Sequence, residues 1–110
     1  MATYVNLITT KCRPQDEERV LKWWTEIHIP LLFKCKGLKS VTRYKLTTDD
    51  KNAAYYLAVQ EFGSKEDLDA YNKSPELAAV RAEMKQSWPD PACWEITSRA
   101  TYEKLDSFKK

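Results

Sequence analysis

From Tyr4 to Lys11 the chain reads Tyr-Val-Asn-Leu-Ile-Thr-Thr-Lys, rich in β-branched and aromatic residues, which predicts a strand. Val5, Leu7 and Thr9 share one face, and Tyr4, Asn6, Ile8 and Thr10 share the other. Neither face is strongly charged, so both are expected to be covered. The period then changes. Pro14 suits the first position of a helix, and Asp16, Glu17 and Glu18 complement the positive end of its dipole. Val20, Trp24, Ile27 and Leu31 recur at spacings of four, three and four, the buried stripe of an amphipathic helix. His28 lies one turn beyond Trp24, on the edge of that stripe. Pro30 disfavours helical geometry at Ile29, so the regular helix is expected to end about there, with Leu31 to Phe33 as a loose last turn.

Gly37 marks the turn into a second strand, Leu38 to Thr47. The polar stretch Thr48 to Asn52 turns the chain into a third, Ala54 to Phe62, and the two runs form an antiparallel hairpin. After Gly63, Ser64 with Asp67 makes a variant capping box that opens a short helix through about Tyr71. Ser74-Pro75-Glu76 repeats the device. Leu77, Val80, Ala82 and Met84 give the next helix an apolar side, and Trp88-Pro89 closes it. From Cys93 to Tyr102 the chain alternates again as a fourth strand. Trp94, Ile96, Ser98, Ala100 and Tyr102 fall on one face; Glu95, Thr97, Arg99 and Thr101 fall on the other. Glu103 to Lys110 reads as a tail.

The order β-α-β-β-α-β, with the second helix split in two, predicts an α+β, ferredoxin-like fold: a four-stranded antiparallel sheet with helices on one face. The helices leave the other face bare. On strands 1 and 3 both sides carry apolar surface, with Tyr55, Leu57 and Val59 opposite Tyr56, Ala58 and Phe62, so a monomer would expose a patch too large to leave uncovered. A homodimer packed sheet to sheet is therefore expected.

Composition narrows the picture. The 110 residues, of which 43% are apolar and 31% charged, suit one domain over residues 1–110, with 103–110 as its tail. Eighteen basic and sixteen acidic residues are mixed along the chain, which gives no nucleic-acid footprint. No apolar run approaches the roughly 20 residues of a membrane span, and the first residues lack a signal-peptide pattern. Three scattered cysteines, Cys12, Cys35 and Cys93, suit free thiols in a reducing cytoplasm. A single histidine and no close cysteine pair leave no material for a metal site, and no cofactor is expected.

Some of these residues form a recognisable set. Trp24, then His28-Ile29-Pro30-Leu31-Leu32, Gly37, Arg43-Tyr44, and Tyr56-Leu57-Ala58 followed by Phe62-Gly63-Ser64 resemble the EthD-like branch of the dimeric α+β-barrel superfamily, over Tyr4 to Tyr102. That superfamily also holds antibiotic-biosynthesis monooxygenases, muconolactone isomerases and haem-degrading monooxygenases. The resemblance implies a ferredoxin-like protomer dimerised through its sheet, with a cavity between helices and sheet. It implies action on small, often aromatic compounds, in many members without a cofactor. Asn6 is the nearest approach to the asparagine of the haem-degrading relatives, but no asparagine–histidine–tryptophan set is laid out as theirs is.

The candidate chemistry centres on His28, whose ordinary pKa near 6.5 suits a general acid or base at neutral pH. The bland alternative is a packed histidine bonded to backbone or serving the helix dipole. Trp24, Tyr44, Tyr56, Trp94 and Asn6 are the candidate substrate contacts, against the alternative that such aromatic residues are core. Arg43 and Arg99 suit a substrate carboxylate or, more simply, surface or interface ion pairs. Cys35 near the His28 loop is a small apolar residue unless a base depresses its pKa. Two functions fit. One is a cofactor-independent enzyme of isomerase, cyclase, dehydratase or monooxygenase type, acting on an aromatic or enolisable compound through His28. The other is a dimeric binding or scaffold protein without chemistry. An open cavity beside His28 favours the first; one filled by Trp23, Trp24 and Trp94 favours the second.

Overall fold

Alternating side chains organise the sheet. In the computed structural model, which describes residues 3–110, β1 (Tyr4–Cys12), β2 (Leu38–Lys45), β3 (Tyr56–Phe62) and β4 (Trp94–Glu103) form one sheet in the order β2-β3-β1-β4. Every neighbouring pair is antiparallel. The β2–β3 hairpin is slightly shorter than the expected runs Leu38 to Thr47 and Ala54 to Phe62. Its ladder reaches Lys45 and Tyr56, and one more backbone bond joins the Leu46 amide to the Tyr55 carbonyl at 2.8 Å. Helices α1 (Glu17–Trp23), α2 (Ile29–Leu32), α3 (Lys65–Lys73) and α4 (Pro75–Ser87) complete the ferredoxin-like arrangement, with the second helix split at Ser74. Both serine caps form as their spacing predicts. Ser64 Oγ accepts from the Asp67 amide and Ser74 Oγ from the Leu77 amide, each at 3.1 Å, which satisfies donors otherwise left orphaned at a helix start.

Three local irregularities depart from the sequence pattern, and each turns side chains over. The first helix does not stop at Ile29. A π-turn, Trp24–His28, joins α1 to α2, and the Ile29 amide bonds to the Trp24 carbonyl five residues back. Pro30, which can neither donate nor fit inside a regular ladder, sits at the start of α2 and the helix runs on to Leu32. The extra residue shifts the remainder of the helix by one position. Trp24, His28 and Leu32 are buried, while Ile27, expected inside, is 45% exposed and Leu31 is only partly covered.

The second irregularity is in β2, where Leu38 pairs with Phe62 and Ser40 with Glu61, leaving Lys39 as a bulge. Val41 and Arg43 therefore turn toward the helices, and Tyr44 turns away. The third is in β4, where Thr9 pairs with Ser98 but Thr10 with Ile96, so Thr97 is the extra residue. Trp94 and Ile96 face the helices as expected. Beyond Thr97 the parity reverses, placing Arg99 and Thr101 inside and Ser98, Ala100 and Tyr102 outside. Ala82, expected on the apolar side of α4, is exposed.

The core lies between the sheet and the helices in two clusters. One gathers Leu32, Cys35, Phe62, Leu68, Tyr71, Leu77 and Val80. The other gathers Val20, Trp23, Trp24, Tyr56, Ala58 and Trp94. The turn from α2 into β2 closes over the first cluster at Gly37, whose φ of +85° is a conformation that L side chains rarely adopt. A methyl group there would also run into the backbone carbonyl of Asp67. Gly63 has neither constraint, since an added Cβ would meet only the flexible Asp67 carboxylate, at 3.4 Å. Gly37→Ala is expected to cost more than about 2 kcal/mol of stability, with Gly63→Ala close to wild type. Urea midpoints of the two variants measured side by side check this.

Candidate functional site

Between the sheet and the helices lies a cavity of about 220 Å³. Its floor is the inward face of the sheet: Asn6, Ile8 and Thr10 from β1, Ala58 and Gln60 from β3, and Ile96, Arg99 and Thr101 from β4. Trp24 and His28 from the π-turn form one wall with Trp94, and Leu77, Val80, Arg81 and Met84 of α4 form the other. The tryptophans line this space without filling it.

His28 is 8% exposed. Trp23 stacks on its ring with centroids 4.9 Å apart, and Trp24 meets it edge-on at 6.4 Å. The Trp23 indole is anchored in turn, donating to both carboxylate oxygens of Glu83 at 3.1 Å. Burial pushes the imidazole pKa down to about 4; the Glu83 carboxylate opposes this, and the Arg43 and Arg99 guanidinium groups reinforce it. The ring is neutral at pH 7, because charging it means removing an imidazolium from water. Its Nδ1 is buried without a hydrogen-bond partner, as are Thr10 Oγ1 and Trp94 Nε1. Three of the five unpaired buried side-chain polar atoms among the described residues thus belong to the wall of one cavity. Such atoms carry a desolvation cost unless a partner meets them, and the cavity leaves room for one.

The rest of the floor is well paired. Thr101 donates to Asn6 Oδ1 at 2.7 Å, and Asn6 Nδ2 donates to Gln60 Oε1 at 3.2 Å. This chain of polar groups crosses three strands and fixes the Asn6 amide in position.

Of the expected contacts, Trp24, Trp94, Asn6 and His28 converge on the cavity. Tyr44 does not: the Lys39 bulge turns it onto the opposite face of the sheet, where it is 56% exposed. Tyr56 faces inward but packs as core beneath Trp24, at 6.4 Å. Its hydroxyl donates to the Glu17 carboxylate, and burial first, then that bond, raises its pKa. Arg43 covers the outside of Trp24, 5.3 Å above the ring, and donates to Thr25 Oγ1 at 3.0 Å. Arg99 reaches the cavity. Thr10, Gln60, Arg81 and Met84 were not legible as site residues, although Arg81 follows Leu77 by one helical turn, a spacing that aligns the two. Among the described residues no three His, Cys, Asp or Glu side chains gather where they would hold a metal ion.

The family model described as a domain of unknown function, DUF4286, matches residues 1–98. No curated protein matches the sequence. Solved structures share the fold at low identity. An ethyl tert-butyl ether D (EthD) family protein from Bacillus halodurans is 14% identical with a TM-score of 0.68, covering 96% of this chain and 100% of that one. A dimeric protein of unknown function and ferredoxin-like fold from Bacteroides fragilis is also 14% identical, with a TM-score of 0.58 and coverage of 94% and 93%. A hydroxynitrile lyase from Passiflora edulis is 13% identical, with a TM-score of 0.62 and coverage of 98% and 97%. The ferredoxin-like architecture is thus common to this chain, an EthD family protein and a protein described as dimeric. No helix of the described residues is long and apolar enough to cross a membrane.

The buried neutral imidazole has a consequence for stability. Unfolded, His28 titrates near 6.5, whereas folded it titrates near 4. As pH falls through this window the unfolded state takes up the proton first, so stability is complete above 6.5 and declines toward 4. Between pH 7 and 5 the loss amounts to about 2 kcal/mol. Urea unfolding of wild type and His28→Gln at both pH values checks this, with the decline expected only where the histidine is present.

Proposed function

This chain belongs to the DUF4286 family, a domain of unknown function, and from that premise we propose that it is an enzyme acting on a small aromatic or enolisable compound held in the cavity. His28 serves as its proton acceptor. The observation that carries the proposal is an open cavity of about 220 Å³ bordered by a neutral, buried imidazole with an unpartnered Nδ1. A cavity of about 150 Å³ is enough for benzene, so this one suits a single substituted ring or an enolisable compound of similar size.

The chemistry follows from the environment. In the empty site an imidazolium is disfavoured, because nothing replaces the water it has lost. When a bound enol, phenol or carbon acid gives up its proton to the ring, the new anion lies beside the new cation. Each then stabilises the other in surroundings of low dielectric. A histidine that is a poor base toward water therefore becomes a competent one toward an acid inside the cavity. Such a transfer opens the routes of isomerase, cyclase, dehydratase or cofactor-free monooxygenase type. The alternative is a binding protein without chemistry. It is favoured by one observation: the Glu83 carboxylate, which would be the natural orienting partner, is bonded to Trp23 rather than to His28.

We also propose that two copies pair through the bare face of the sheet. Leu7 and Val59 lie opposite each other at its centre, and Tyr44 and Tyr102 on the same face are 56% and 53% exposed. Leu105 and Phe108, beyond β4, are more exposed still. The Bacteroides fragilis protein of the same fold is described as dimeric, which supports the pairing of two copies.

Two outcomes are expected. The His28 ring signals should stay flat from pH 9 to 5 in the free protein and titrate within that range when an enolic or phenolic ligand is bound. Turnover of any compound that binds should fall at least about a hundredfold in His28→Gln; unchanged turnover would remove His28 from the chemistry. Separately, Val59→Lys places a charge at the centre of the bare face and should convert a dimer to a monomer in sedimentation equilibrium, with the circular dichroism of the fold retained.

A further inference from the structure

The cavity wall holds two arginines and no carboxylate. Arg81 comes from the middle of α4 and Arg99 from β4, so the two approach the same space from helix and sheet. Neither forms a salt bridge with any of the described residues, although Arg13, Arg19 and several lysines do. Both line the cavity together with Tyr71 from α3, and the charge of each favours ionisation of that hydroxyl against the larger effect of burial. Arg99 owes its position to the Thr97 bulge; without that extra residue, alternation would aim it at the other face of the sheet.

Arg81 has a second role in the geometry. Together with Met84, Trp94 and Ile96 it borders both this cavity and a more open apolar groove of about 330 Å³ beside Trp88 and Pro91. It therefore stands where the inner space meets the outside. A pair of guanidinium groups without a carboxylate partner, at the mouth of a small cavity lined by apolar side chains and neutral polar ones, selects by charge. A neutral ring gains only burial there, whereas a ligand with a flat anionic end also gains charge-assisted, paired hydrogen bonds.

We infer that the cavity takes a one-ring carboxylic acid in its anionic form, with the ring against Trp24 and Trp94 and the carboxylate on Arg81 and Arg99. This rests on the cavity's being the ligand site proposed above. It adds the charge class of the ligand and two residues that determine specificity. It also links the arginines to His28. In the empty site Arg99 disfavours a charged imidazole, and a carboxylate that neutralises the arginine field lifts that part of the penalty.

The test uses the intact protein and its tryptophan fluorescence, at pH 7 and low salt, with benzoate, its neutral counterpart benzamide, and phenyl phosphate. Benzoate is expected to bind at least about ten times more tightly than benzamide. Arg99→Gln and Arg81→Gln should each weaken benzoate about tenfold or more while leaving benzamide unchanged. Raising the salt concentration should weaken benzoate alone. Equal binding of benzoate and benzamide, or equal losses for both ligands in the arginine variants, would overturn the clamp while leaving the cavity as a ligand site. Tighter binding of phenyl phosphate than of benzoate would replace carboxylate by phosphate and overturn the assignment. Failure of all three to bind would overturn both the clamp and the cavity. Benzoate bound through the arginines with the His28 ring signals unmoved would uphold the clamp and count against the role given to His28. Thermal melts of both variants confirm that the fold is intact, as expected for two exposed side chains.

Discussion

The hydrogen bond from the Ile29 amide to the Trp24 carbonyl, five residues back, sets the direction of every later side chain on the first helix. Proline at position 30 would break a regular α-helix there, since it lacks a donor and its ring collides with the preceding turn. The wider π-turn accommodates it, and the helix continues. The consequence is a change of phase. An uninterrupted helix would have buried Ile27 and Leu31 after Trp24, giving an apolar wall with the histidine at its margin. With one residue inserted, His28 takes the inward position and Leu32 the next. The apolar pattern of the sequence supports either phase, because Ile29, Leu31 and Leu32 surround the change. What settles it is packing: Trp23 can stack on His28 and bond Glu83 only in the phase observed.

Burying that histidine has an electrostatic cost, and the cavity is arranged so that the ring stays neutral. Desolvation is the dominant effect, and the guanidinium groups of Arg43 and Arg99 act in the same direction. The Glu83 carboxylate opposes them by its charge alone, because its oxygens accept from Trp23 and it does not hold the tautomer of His28. The cavity lining contains donors, amides and two guanidinium groups.

The fold could be read almost entirely from the pattern of residues. The serine caps, the hairpin, the split second helix and the pairing faces of β1 and β3 all follow from local rules that tertiary contacts did not override. The site was half legible. His28, Trp24, Trp94 and Asn6 were found from one aromatic–histidine spacing and from strand parity, which held for β1 and for β4 as far as Ile96. Tyr44 was misplaced and the inward position of Arg99 went unrecognised for a single reason: each lies beyond a bulge, at Lys39 and at Thr97, and a bulge reverses parity. Nothing in Lys39 or Thr97 announces it, because neither is a glycine and both are ordinary strand residues. Tyr56 shows a different limit. Its inward direction was correct, but only the Glu17 carboxylate above it decides that its hydroxyl is engaged by the protein.

The three irregularities share a destination. The π-turn delivers His28, the Thr97 bulge delivers Arg99, and the Lys39 bulge removes Tyr44 while bringing Arg43 over Trp24. A regular version of this fold would turn Ile27 and Tyr44 toward the helices and Arg99 away from them, leaving Asn6, Thr10 and Gln60 as the polar part of the lining on the sheet side. Each interruption gives up some regular hydrogen bonding to put a polar or charged group where an apolar one would pack better. Such departures mark functional positions more often than structural ones. The same architecture occurs at 13–14% identity in proteins as different as an EthD family protein and a hydroxynitrile lyase, so the fold by itself does not specify a function. In this chain the breaks bring the His28 imidazole and the Arg99 guanidinium to a cavity of about 220 Å³, where Arg81 joins them from the regular helix α4.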